Sequence, residues 1–268
     1  MKFGLHLPNF GALADPAAVA DLAARAEAAG WDGFFLWDHV ARPEGEFPMV
    51  DPWIALAAVA LRTERMRIGP LITPLSRRRP WNVARQVASL DQLSGGRVTL
   101  GVGLGVSQGP EFRDFGEVSD PKVRGDMLDE GLDIIRSAWQ GKPVSQAGAH
   151  YRLDSVAILP PPVQSSLPIW GATERTGGRP VRRAATLDGV FPFGLRPDQL
   201  PELLDNVSRL RPGGLDGYDV VISGTDDWRE WQDAGATWWL CVLPWSRPIQ
   251  ESAGIVESGP PSLRSTGS

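Results

Sequence analysis

Apolar and polar positions alternate in a repeating pattern along the whole chain. Short apolar runs fall at 3–7, 33–37, 66–72, 98–102, 169–172, 189–193, 218–223 and 237–243. Between them the period becomes helical. Leu128, Leu132, Ile135 and Trp139 stand at i, i+4, i+7 and i+11, and Val83, Val87 and Leu90 repeat that spacing. Leu200, Leu203, Leu204 and Val207 mark another such face. Asp15-Pro16 and Arg79-Pro80 open helical segments with proline in the first turn, and Gly30, Gly95 and Gly235 stand where left-handed caps close them. Eight strands, each followed by a helix, predict an α/β fold: a single (β/α)8 TIM barrel. An open doubly wound sheet also alternates, but eight parallel strands within 268 residues favour closure. The segment 143–162 breaks the rhythm and predicts an insertion, read as a hairpin, between helix 4 and strand 5. The barrel domain is expected over 1–258, with the Gly/Pro/Ser-rich 259–268 as a flexible tail.

Composition narrows the function. Hydrophobic residues are 42% and charged residues 22%, which suits a globular domain with a sizeable core. A net charge of −5 argues against a nucleic-acid partner. No run nears the ~20 apolar residues of a membrane span, so no membrane partner is expected. The opening MKFGLHLPNFG has no signal-peptide core, which predicts a cytoplasmic location. One cysteine and three histidines, none in a metal-binding spacing, predict no metal site. Eleven tryptophans suggest a ligand cleft walled by flat side chains.

In a barrel, function sits at the C-terminal ends of the strands. There the chain places Pro8-Asn9, Asp38-His39, Thr73-Pro74, the glycines 101, 103 and 105, the stretch 173–180, Pro192, Gly224-Thr225 and Pro244-Trp245. A carboxylate beside an imidazole can hold a ligand and exchange a proton near neutral pH. Asp38 as a cap and His39 as a surface residue is the plainer alternative. GVGLGVSQG lacks G-x-G-x-x-G, so no Rossmann fingerprint is present. Its glycines would let a flat ring approach the backbone, or would simply make a bulge. Thr176-Gly177-Gly178-Arg179-Pro180 opens a helix carrying Arg182 and Arg183. That suits a phosphate, or is an ordinary glycine loop. Arg77-Arg78-Arg79 is a second cationic candidate, read mainly as solvated. His6, between Leu5 and Leu7, reads as a hydrogen-bonded barrel-interior residue. There is no G-x-S-x-G and no matched carboxylate pair, which disfavours a hydrolase or glycosidase.

Several stretches together resemble the bacterial-luciferase-like family of flavin- and deazaflavin-dependent oxidoreductases. They are FGLHLPNFG, EAAGWDGFFLWDHV, RIGPLITPLSRRRPWNVARQVASLDQLSGGRVTLGVGLG, EFRDFG, PIWGATERTGGRPVRRAATLDGVFP, YDVVISG and AGATWWL, in family order over most of the chain. The resemblance implies FMN or coenzyme F420 in a cleft on the C-terminal rim, and the Asp38-His39 pair favours F420. It implies Asp38 and His39 as catalytic residues beside the reactive ring edge. Asp38, Thr73, Leu104, Gly105, Thr176, Gly177, Gly178 and Arg179 would contact the cofactor, and a non-proline cis peptide would fall near Pro70-Leu71-Ile72. It implies hydride transfer, or dioxygen activation, at a small organic substrate. A homodimer and a separate reductase supplying reduced cofactor are compatible with it. The sugar-phosphate dehydrogenases of the family carry a glutamate where this chain has Val106, and use lysines that it lacks, which counts against that activity. The rival is a non-catalytic flavin-binding protein on the same barrel.

Overall fold

A computed structural model of the protein describes residues 1–106, 109–224, 227–243, 245–246 and 249–261. Thr225 and Pro244, expected at two strand ends, lie outside the described residues, as do positions 262–268 of the expected tail. Gly259 and Pro260, its first residues, are buried.

The parallel barrel closes. Its strands are β1 (Lys2–Leu7), β2 (Gly33–Leu36), β3 in two halves (Arg67–Pro70 and Thr73–Pro74), β4 (Leu100–Gly103), β5 (Ile169–Thr173), β6 (Gly189–Pro192), β7 (Asp219–Gly224) and β8 (Trp238–Val242). The halves of β3 are distinct strands, making nine in the sheet, and they flank a cis peptide between Leu71 and Ile72, where the resemblance implied one. β1 pairs with β8 at Phe3↔Trp239, β2 with β3 at Leu36↔Pro70, and β3 with β4 at Thr73↔Val102. The bridge Ile68↔Val98 adds to that last seam.

Helices α1 (Pro16–Ala28), α2 (Pro52–Arg62), α3 (Pro80–Ser94), α4 (Pro121–Ala138), α5 (Arg179–Ala184), α6 (Leu200–Leu210), α7 (Trp228–Asp233) and α8 (Ile249–Glu257) follow the strands in turn. Local chemistry sets their ends. Asp15, Asp51 and Asp120 accept backbone N–H groups at the starts of α1, α2 and α4, and proline follows each. Gly95 closes α3 at φ +68°, a conformation that costs a side-chain-bearing residue ~1–2 kcal/mol. The insertion is the expected hairpin, pairing Val144–Ala147 with Arg152–Val156. It is tied to α4 by Glu130, whose carboxylate accepts the N–H groups of Ala149, His150 and Tyr151.

Two cores hold the barrel. One lies between strands and helices. The other fills the barrel interior with Phe35, Leu71, Trp170, Phe191, Val221, Trp238 and Leu240. Asp219 accepts both indole N–H groups of Trp170 and Trp238, at 3.1 and 3.0 Å, so neither donor is buried unpaired. The tryptophans therefore do not chiefly wall a cleft. Trp170 and Trp238 fill the interior, Trp31, Trp53, Trp231 and Trp239 serve the outer core, and Trp37 and Trp245 follow strand ends at the mouth.

Candidate active site

The charged groups of the mouth gather on the side of β2, β3 and β4. Asp38, just past β2, is buried, and its carboxylate faces Arg77 and Arg78 from the turn after β3. Arg78 Nε donates to Oδ2 at 2.8 Å and Nη2 to Oδ1 at 2.6 Å, while Arg77 Nη2 reaches Oδ1 at 3.0 Å. Arg77 and Arg78, with side chains 6% and 18% exposed, thus clamp Asp38 rather than forming a solvated run. This two-pronged pairing compensates the desolvation of the carboxylate.

Asp38 does not orient His39, as sequence adjacency suggested. Glu111 does. It sits on the one-turn helix Pro110–Arg113, and its Oε1 accepts His39 Nδ1 at 2.9 Å, Val40 N–H at 2.8 Å and Arg77 Nη1 at 2.9 Å. Burial pushes the Glu111 carboxyl up, but the hydrogen bond from His39, the charges of His39 and Arg77 and the Val40 N–H outweigh it, and the group is held at about 2. An ionised carboxylate only accepts, so Nδ1 of His39 carries a proton. Arg42 Nη1, which only donates, lies 3.2 Å from Nε2. In the neutral ring Nε2 is therefore the lone-pair nitrogen and the atom able to take up a proton. Asn9 fixes the backbone here: its Nδ2 donates to His39 O and Val50 O, and its Oδ1 accepts His39 N–H.

The glycines within and just after β4 serve packing. A Cβ on Gly101 would lie 2.5 Å from Leu71 Cδ1, on Gly103 2.3 Å from Ile72 Cδ1, and on Gly105 3.0 Å from Phe112. The space a Cβ would take at each of them is filled by the protein itself. Leu104 lies between two of them, and its carbonyl accepts Arg124 Nη1 at 3.0 Å.

Arg124 is the residue the sequence reading missed. It is 0% exposed, stacks over Phe112 at 4.2 Å, and leaves Nε and Nη2 buried without partners. Arg179, by contrast, is fully engaged. Its Nη1 donates to Asp126 at 2.5 Å, and its Nε and Nη2 donate to Asp129 at 2.9 and 2.6 Å. Arg183 also donates to Asp129. Thr176 accepts Asn206 Nδ2 through its carbonyl, and a Cβ on Gly177 would meet open space. Gly178 turns at φ +84° into α5.

Further polar atoms near this rim are buried and unpartnered: Trp37 Nε1, Thr73 Oγ1, Ser76 Oγ and Glu111 Oε2. Each such atom costs free energy unless something pairs with it. Among the described residues no helix is long and apolar enough to cross a membrane, and no His/Cys/Asp/Glu group could hold a metal ion.

Comparison with known proteins gives the family and the fold. An F420-dependent glucose-6-phosphate dehydrogenase of Nakamurella multipartita is 32% identical over 260 residues, 90% of this chain and 72% of the relative. A solved F420-dependent secondary alcohol dehydrogenase, in complex with an F420–acetone adduct, superposes with TM-score 0.83 at 18% identity, over 98% of this chain and 99% of the other. A monooxygenase from Streptomyces bottropensis superposes with TM-score 0.69 at 25% identity, over 88% and 75%. The model of the luciferase-like monooxygenase family matches residues 1–225, so the chain belongs to that family and is one of its oxidoreductases.

Proposed function

We infer that the rim around Asp38, Thr73 and Leu104 binds coenzyme F420 or FMN, and that the enzyme transfers hydride to or from a small organic substrate there, or activates dioxygen. The observation that carries this reading is the set of orphaned polar atoms. Thr73 Oγ1 suits the polar edge of a flavin-type ring, and the unpaired nitrogens of Arg124 suit a phosphate. The relative and the solved dehydrogenase named for F420 favour F420, and membership of the luciferase-like monooxygenase family keeps FMN beside it. Bound there, either ring supplies hydride chemistry, and FMN can also react with dioxygen.

The chain's own residues have separable tasks. Asp38, buried and neutralised by Arg77 and Arg78, fixes the end of β2 beside the ring edge. His39, held by Glu111 through Nδ1, exchanges a proton at Nε2 once Arg42 moves aside. Leu104, Gly105, Thr176, Gly177 and Gly178 border the cofactor tail. Arg124, whose donors are not spent on carboxylates, replaces Arg179 as the main cation for the phosphate. A sugar phosphate is disfavoured as substrate. Lys2 lies at the start of β1, 5.0 Å over Trp238 in the barrel interior, and Val106, 48% exposed, stands where those dehydrogenases carry a glutamate.

The test is tryptophan-fluorescence titration with F420, FMN and riboflavin. The parent protein should bind at least one phosphorylated cofactor. Arg124→Met should weaken that cofactor by about 10- to 100-fold, the equivalent of ~1.5–3 kcal/mol for bonds to a charged group, while changing riboflavin binding less than about threefold. Arg179→Ala should have the smaller effect, and the reverse order would return the phosphate to the glycine loop. Failure of both cofactors to bind the parent chain would overturn the function.

A further inference from the structure

Beside the charged network, the inward face of β1, β6 and β7 carries a different kind of polar group. His6 Nε2 lies 2.6 Å from Leu71 O, and Nδ1 lies 2.7 Å from Ser223 Oγ. A carbonyl oxygen only accepts, so in the neutral ring the proton is on Nε2 and Nδ1 is a bare lone pair. Ser223 has one hydroxyl hydrogen, and that lone pair takes it. Burial keeps the ring neutral, lowering His6 to about 4.

Two consequences follow for whatever meets Ser223, which is only half-buried at the end of β7. Its oxygen can accept a hydrogen bond but cannot donate one without breaking the bond to His6. Its surroundings are aromatic: Phe191 and Trp37 each stand 5.6 Å from the His6 ring, and Phe193, beyond Phe191, is 61% exposed. The Trp37 indole N–H is a buried donor without a partner beside the same imidazole. Acceptor, donor and aromatic wall all flank His6.

We propose that Ser223, its hydrogen committed to His6, is the residue that selects the substrate, and that the substrate is a neutral, mainly apolar molecule bearing a hydroxyl group. The hydroxyl hydrogen goes to Ser223 Oγ, and its oxygen accepts from Trp37 Nε1. The apolar remainder packs on Phe191 and Phe193. Calling this ligand the substrate rests on the proposed function; the recognition itself does not.

The probes are cyclohexanol, cyclohexyl methyl ether and cyclohexylammonium, followed by ligand-observed NMR on the full chain with and without cofactor. The parent protein should bind cyclohexanol about 3- to 10-fold better than the ether, the range of one neutral hydrogen bond. Ser223→Ala should erase that preference while leaving ether binding intact. Equal binding of alcohol and ether by the parent, a preference that survives Ser223→Ala, or preferred binding of the ammonium ion would each overturn the proposal. A measurement on the unmutated chain guards against a variant that misfolds. With three histidines in the chain, ¹⁵N spectra at pH 7 should show His6 protonated on Nε2 and His39 on Nδ1; a His6 protonated on Nδ1 would also overturn it. Alcohol selectivity in a protein that binds neither cofactor would leave this inference standing while the proposed function fell.

Discussion

His6 and His39 share one mouth and are wired in opposite senses, and acid should reach the fold through His6. Burial lowers His6 to about 4 in the folded chain, against about 6.5 when unfolded. A lowered histidine contributes stability that is complete above pH 6.5 and declines as pH falls towards 4, because only the unfolded chain binds the proton. From pH 7 to pH 4.5 this should cost about 2–3 kcal/mol. Urea unfolding at the two pH values should show that loss in the parent chain and a much smaller one in His6→Gln. Equal losses would mean that His6 is not the group responsible. Glu111, held at about 2, works in a lower window: its contribution is present above about 4.5 and fades as pH falls through 2. For His39 the expected readout is catalytic. Once a substrate is in hand, His39→Ala should lower turnover by ~10²–10⁴-fold with cofactor affinity within about tenfold. Glu111→Gln should lower kcat more than it changes KM, since it loosens the ring without emptying the site. Turnover by His39→Ala within a few-fold of the parent would make His39 a bystander. His39 was legible in the sequence because strand ends carry barrel chemistry. Its holder was not, because Glu111 lies 72 positions away and only the fold brings them together.

At the scale of elements, the strands and longer helices could be read because each alternates over enough residues to show its period. The short pieces could not. The one-turn helix Pro110–Arg113 has no period to detect, yet it delivers Glu111 to His39 and Phe112 to Arg124. The glycines 101, 103 and 105 were visible, but their purpose was not, because a missing side chain does not say which neighbour fills the gap. Gly101→Ala separates the two readings. Its Cβ would lie 2.5 Å from Leu71 Cδ1 and 2.8 Å from Pro70 O, in a wall with no slack. The urea midpoint should fall by the equivalent of about 1–3 kcal/mol, the cost of overpacking, while cofactor affinity in the folded fraction changes little. Lost affinity with unchanged stability would restore the view that these glycines face a ring.

The molecule as a whole gathers its charged groups at the ends of β2–β4 and sets against them an aromatic cluster around His6, with Trp37 touching both. No composition figure reveals this, since the formal charge of −5 is a sum and the division is a matter of place. Arg179 and Arg124 make the same point. Both are arginines in helices near the mouth, and sequence favoured the one beside glycines. In the fold that one is spent on Asp126 and Asp129, while the other is sealed in without a carboxylate. The sealed cation has a consequence for the lifetime of the protein. A buried guanidinium with two unpaired nitrogens costs free energy, and a ligand that pairs with them in the native state offsets that cost. At a hundredfold excess over its Kd such a ligand adds about 2.7 kcal/mol to the native state. Resistance to heat and to proteases should then follow cofactor supply, and newly made chains in a starved cell would be the first to be degraded.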